Sequence, residues 1–231
     1  MKRTIKPGTL LYPLPAVLVT GGDMENSALM TAAWTGIVNS DPPMTYVSIR
    51  PERYSYDIIK ERGEFVINLT TADLVKETDY AGCVSMRKED KFQTLNLTKE
   101  PAEKVAAPLI AQCPVNLECK VTEVKDLGSH SMFLAEIVSV HVDESLYDKD
   151  DKIRLDTADL LAYVHGDYLP LGKKKLGTYG YSVMKPKTKK KKAAQSRQAS
   201  LNKAKARERV KQKGKESVFT GKRRLVSKDG E

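Results

Sequence analysis

Residues 115–124, VNLECKVTEV, and 132–142, MFLAEIVSVHV, decide the fold class. Both runs are rich in β-branched residues and alternate apolar with polar side chains, the period of a strand with one buried face. Between them stands KDLGSH at 125–130, polar and glycine-containing, so the two runs are expected to fold back on each other as an antiparallel hairpin.

Outward from the hairpin, most segments are short strands. Residues 15–20, PAVLVT, read as a buried strand closed by Gly21-Gly22, and LMTAAW at 29–34 as a second strand with TGIVNS at 35–40 as its irregular continuation. Asp41-Pro42-Pro43 forces a turn into the strand TYVSIR at 45–50, which Pro51 ends. YSYDIIKER at 54–62 suits a helix, with Ser55 as candidate cap and Gly63 as stop. EFVINL at 64–69 is the next strand; a second helix is expected from 71–73 to 79 or beyond, and 81–92 is ambiguous. LLAYVHG at 160–166 is the last strand and leads into YLPLGKKKLGTYGYSV at 168–183. Strands outnumber helices, and the helices are insertions rather than partners to each strand. This predicts a mainly β chain, an antiparallel barrel with helical excursions, rather than a doubly wound parallel sheet. Neither GxGxxG nor GxxxxGK[ST] occurs, which excludes the usual dinucleotide and nucleotide-phosphate fingerprints.

The formal charge of +9 is unevenly spread over the 231 residues. Residues 185–231 hold 18 Lys and Arg against 4 Asp and Glu, whereas residues 1–184 hold 21 against 26. The body is mildly acidic, and the basic character belongs to the tail. Low hydropathy and high charge predict a disordered tail over 185–231, with transient helix around 200–213, suited to weak, salt-dependent contact with nucleic acid. Cys83, Cys113 and Cys119 show no zinc spacing and no disulfide framework. No stretch approaches the ~20 apolar residues of a membrane span, so a soluble cytoplasmic protein is expected. His141 and His165 have no ligand-spaced companions and read as structural.

Six stretches in order, MTAAWTG at 30–36, SDPPMTYVSIRPERYSYDII at 40–59, EFVINL at 64–69, DYAGCVSMRKEDKF at 79–92, GSH at 128–130 and the 168–183 run, resemble the flavin reductase-like family and its flavoredoxin branch. The likeness extends over most of residues 8–183. It implies an FMN-binding split β-barrel at 1–184 that forms a homodimer, with the flavin near the subunit interface.

Carried over position by position, the resemblance places Thr31, Ala32 and Ala33 along the isoalloxazine edge with Trp34 nearby. It gives Ser48, Arg50, Arg53 and Ser55 to the phosphate-bearing side chain, adds Ser85, Arg87 and Lys91, and brings His130 and Tyr163 to the flavin. Hydroxyls, guanidiniums and an amine suit a phosphate of nearly two negative charges. A positive Lys91 or a protonated His130 at the N1/C2 edge would favour the anionic reduced flavin. Two positions depart from the family pattern: Ala28 stands where Asn is common, and Ser85-Met86-Arg87 where the middle residue is glycine. The implied activity is an oxidoreductase that takes hydride from NAD(P)H at flavin N5 and passes electrons to a second, small-molecule or protein acceptor. The cofactor carries that chemistry, so no catalytic side chain is assigned. The alternatives are a non-enzymatic FMN electron carrier and a cofactor-free barrel associating with nucleic acid through its tail.

Overall fold

The computed structural model describes residues 1–172, 174–188, 190–191, 193–195, 198 and 201–202. It divides the chain into Met1–Lys174 and Lys175–Glu231, ahead of the 184/185 boundary drawn from composition. In the second unit, Tyr181–Val183 is a 3-10 turn and residues 186–188, 190–191 and 193–195 are helical. The rest of the expected disordered tail, most of 200–213 included, lies outside the described residues.

Among its described residues the first unit has twelve strands and three α-helices. The strands are β1 Leu14–Pro15, β2 Val17–Gly22, β3 Ser27–Ala32, β4 Thr35–Ser40, β5 Pro43–Ile49, β6 Glu64–Leu69, β7 Lys99–Glu100, β8 Leu109–Ile110, β9 Val115–Asp126, β10 Ser131–Val142, β11 Leu161–Val164 and β12 Asp167–Pro170. The helices are α1 Tyr54–Arg62, α2 Val75–Cys83 and α3 Lys91–Thr94. The expected hairpin is β9–β10, and it stands at the centre of a seven-stranded antiparallel sheet ordered β3-β2-β6-β9-β10-β5-β4.

Alternate residues explain why this sheet curls into a barrel. Val17 and Val19, Met30 and Ala32, Val47 and Ile49, Phe65 and Ile67, and Phe133 and Ala135 all meet in one buried cluster. That cluster includes both β3, at one edge of the hydrogen-bonded order, and β5, next to the strand at the other edge. Helix α1 adds Tyr56 and Ile59 to the same cluster, and the Tyr56 hydroxyl lies 2.9 Å from Ser131 Oγ.

Two details differ from the reading of the sequence. The segment 29–40 is two strands, not one with a continuation: β3 pairs with β2 and β4 with β5, at opposite edges of the sheet. Only Ala33 and Trp34 separate them, and Ser48 N donates to Trp34 O at 2.9 Å across the seam. The C-terminal strand is likewise a hairpin, β11–β12, which β1 extends to a separate three-stranded sheet. His165 and Gly166 make its turn with φ of 50° and 109°, a left-handed pair that closes a tight hairpin.

Candidate functional site

Two cavities adjoin through shared walls at Met30, Arg50 and Arg53. A cationic one of about 420 Å³ lies where the start of α1 meets the end of α2 and the 84–91 loop. An aromatic one of about 500 Å³ lies between the β3–Trp34 strip, the tip of the β9–β10 hairpin and the β11–β12 hairpin. Both fall within the size range of ordinary ligand clefts, ~300–1,000 Å³.

All thirteen residues singled out in the sequence line one or both. Thr31, Ala32, Ala33, Trp34, Ser48, His130 and Tyr163 line the aromatic cavity, and Ser55, Ser85, Arg87 and Lys91 the cationic one. Arg50 and Arg53 line both.

In the cationic cavity Ser55 is the informative residue. It is not the cap expected from the sequence: the N-cap of α1 is Arg53, which makes no side-chain cap bond, and Ser55 lies inside the first turn. Its side chain is 1 % exposed, and its Oγ has no hydrogen-bond partner. A buried hydroxyl left without a partner costs about 1–3 kcal/mol, and this one sits beside the free amides of a helix start, a ready anion site. Around it, Arg53 Nη1 donates to Gly82 O at 2.9 Å and Arg87 Nη1 to Glu52 O at 3.0 Å. Arg87 also stands 5.7 Å over the Tyr54 ring.

Lys91 is buried and donates to the carbonyls of Ala81 at 2.6 Å and Val84 at 2.9 Å, tying the end of α2 to the loop. Burial, with help from Arg53, lowers its amine to about 8. Lys91 thus belongs with Ser55 and Arg87, not with Trp34 and His130, which corrects the expectation that it faces the N1/C2 edge of a flavin. For His130, burial first and then Arg50 hold the imidazole below the usual range, which disfavours the protonated ring.

Met86, at one of the two positions that depart from the family pattern, lines the cationic cavity. It packs against the buried cluster of Leu18, Leu29 and Phe92, and its Sδ accepts from Lys91 N at 3.4 Å. Ala28 is fully buried in β3 and lines neither cavity. Its neighbour Ser27 accepts a hydrogen bond from Lys99 Nζ at 3.1 Å.

The aromatic cavity is walled by Trp34 and His130, with ring centroids 4.5 Å apart, and by Tyr163 and Tyr168 at 5.6 Å. Thr31 Oγ1 donates to Thr78 O and so fixes α2 on β3; a Cβ on Gly82 would stand 3.2 Å from Thr31 Cβ. The sequence reading missed Asp79, Gly82, Cys83 and Tyr168, which also line this cavity. The signal was present: 79, 82 and 83 are i, i+3 and i+4 on one helical face.

Residues 9–172 match the Flavin reductase like domain. The chain belongs to that family. Among solved structures of the family it is similar to the flavoredoxin of Desulfovibrio vulgaris (Miyazaki F), 34% identical with a TM-score of 0.73 and covering 79% of this chain and 100% of that one. It is also similar to the flavoredoxin of Methanosarcina acetivorans, 30% identical with a TM-score of 0.71, covering 80% and 100%. A more distant relative is the ferric-chelate reductase (NAD(P)H) of Archaeoglobus fulgidus, 26% identical over 106 residues, 46% of this chain and 62% of that protein. The family supports flavin binding and oxidoreductase activity for this chain. Among the described residues no helix is long and apolar enough to cross a membrane.

Proposed function

We propose that this chain is an FMN-binding oxidoreductase that takes hydride from NAD(P)H and passes electrons to a second acceptor. The observation that carries the reading is Ser55: a buried, unpartnered hydroxyl in the first turn of α1, in a cavity shared with Arg53, Ser85, Arg87 and Lys91. Hydroxyls, two guanidiniums and an amine around a helix start are the donor set of a phosphate monoester. The adjoining cavity offers ring walls for a tricyclic group, which supports a cofactor-bearing barrel over a cofactor-free one.

When bound, FMN would supply hydride acceptance and release at N5. The chain's own part is to hold the phosphate through Ser55, Arg53 and Arg87, to wall the ring with Thr31, Ala32, Ala33 and Trp34, and to keep water from its faces. A homodimer is part of the same proposal: Ile37 and Val38 on the edge strand β4 are 69% and 49% exposed, an apolar strip that a second copy would cover.

The test is the visible spectrum of the purified protein, followed by release and identification of the flavin and by NADH and NADPH oxidation. A colourless protein that takes up no added FMN would overturn the proposal. A yellow protein that leaves both nicotinamides untouched would make it an electron carrier.

A further inference from the structure

The aromatic cavity contains a carboxylate that an anionic cofactor does not call for. Asp79 on α2 and Tyr168 on β12 line this cavity together, close enough for the carboxylate to act on the phenol. Among the described residues lining this cavity it is the one carboxylate. The two guanidiniums there have partners of their own, Arg50 with Glu52 at 3.2 Å and Arg53 with the Gly82 carbonyl at 2.9 Å. Trp34, Tyr163 and Tyr168 bring π faces to the same cavity, with the His130 ring tilted against Trp34 at 4.5 Å, among smaller side chains such as Ala32, Ala33 and Ser48.

Aromatic faces around a carboxylate are the recognition set for an organic cation, each close face contributing about 0.5–1 kcal/mol at exposed sites and more when desolvated. The reaction proposed above generates one such species. A dihydronicotinamide ring is neutral; on giving up a hydride, a proton with two electrons, it is left as a planar pyridinium with a single positive charge. No proton passes to the carboxylate in that step.

Resting on the flavin reading, we propose that Asp79, beside Tyr168 and Tyr163 at the part of the cavity not given to the flavin ring, is the charge-selecting residue of the nicotinamide subsite. It favours the ring as it becomes cationic and so binds the oxidised nicotinamide better than a neutral ring of the same shape. Burial and then Asp79 push the Tyr168 phenol up to about 12, which keeps the phenol protonated beside the carboxylate.

The experiment uses the FMN-loaded full chain and two probes of similar shape, the 1-methylnicotinamide cation and neutral nicotinamide, with binding read by quenching of flavin fluorescence. The wild-type protein is expected to prefer the cation. Asp79→Asn is expected to weaken the cation about fivefold and neutral nicotinamide by less than about twofold, the scale of one partly exposed charge pair. Tyr168→Phe, which keeps the charge but removes the hydroxyl beside it, is expected to lose a smaller part of the preference. Equal weakening of both probes in Asp79→Asn, or no preference in the wild type, would overturn the inference while leaving FMN binding untouched. Failure of the wild type to hold FMN, seen first in its absorbance, would overturn the flavin reading and this inference together.

Discussion

At the scale of single residues, Ser55 separates function from stability. Its Oγ is buried without a partner, so Ser55→Ala removes a group that destabilises the flavin-free protein. The variant is expected to be as stable as the wild type or more stable by about 1 kcal/mol in urea unfolding, and to bind FMN about tenfold more weakly, the loss of one hydrogen bond to a charged group. Weaker binding together with lower stability would mean that Ser55 is simply structural. Lys91 makes the opposite bargain, since its amine is engaged in the fold and still titrates. Burial lowers it from 10.5 to about 8, so the folded state disfavours the charged amine. The flavin-free protein should therefore gain stability from this group as pH rises from 8 to 10.5. A bound phosphate favours the charged form, and FMN affinity should fall as pH passes 8. Fluorescence titration across that range checks this; Lys91→Met should bind more weakly, with the bend in the profile removed.

At the scale of elements, the segments with a strong local pattern were legible and those set by tertiary pairing were not. Helix α1 spans the residues expected, because Gly63 in the left-handed region at φ 68° stops it and donates back to Ile59 O. Strand β6 and the β9–β10 hairpin also stand where alternation put them. The break between β3 and β4 carries no glycine or proline; Ala33 and Trp34 look like strand, and only pairing at opposite sheet edges separates them. Strand β12 hid behind Pro170, which ends it. The site followed a similar division: the thirteen residues carried over by the resemblance line the cavities, while Asp79 and Tyr168, though inside two of the matching stretches, were not singled out, because only the fold brings that helix and that hairpin together. One buried group belongs wholly to this scale. Glu118 on β9 accepts from the amides of Glu103, Lys104 and Val105 at 2.9, 2.6 and 3.1 Å and is bonded to His141. Burial pushes its carboxyl up, but these donors outweigh it and hold the group below the usual range. Its contribution is thus present at neutral pH and is lost as acid protonates it. Glu118→Gln puts an amide donor among amide donors and should cost about 1–3 kcal/mol in chemical denaturation; a change below 0.5 kcal/mol, within ordinary surface variation of about that size, would contradict this.

For the whole molecule, the two halves of the charge distribution separate cleanly. Removing 185–231 takes the formal charge from +9 to −5. The shortened chain should keep its flavin and its melting temperature while losing retention on a cation exchanger; loss of flavin would place part of the binding unit in the tail. Self-association is testable at the β4 edge. Ile37→Glu, at a position 69% exposed, should shift the mass seen by light scattering to that of a single chain without unfolding it, if a second copy covers that strip. The central position of β9–β10 has a consequence for biosynthesis. Strands β5 and β6 both hydrogen-bond to that hairpin and not to each other, so a nascent chain that ends at residue 114 carries most of the groups that surround the two cavities, with no strand to join β5 to β6. The aromatic cavity also takes Tyr163 and Tyr168, so it is completed only when the chain out to Tyr168 has emerged, which makes flavin capture a late event in translation and leaves shorter nascent chains unable to take it up.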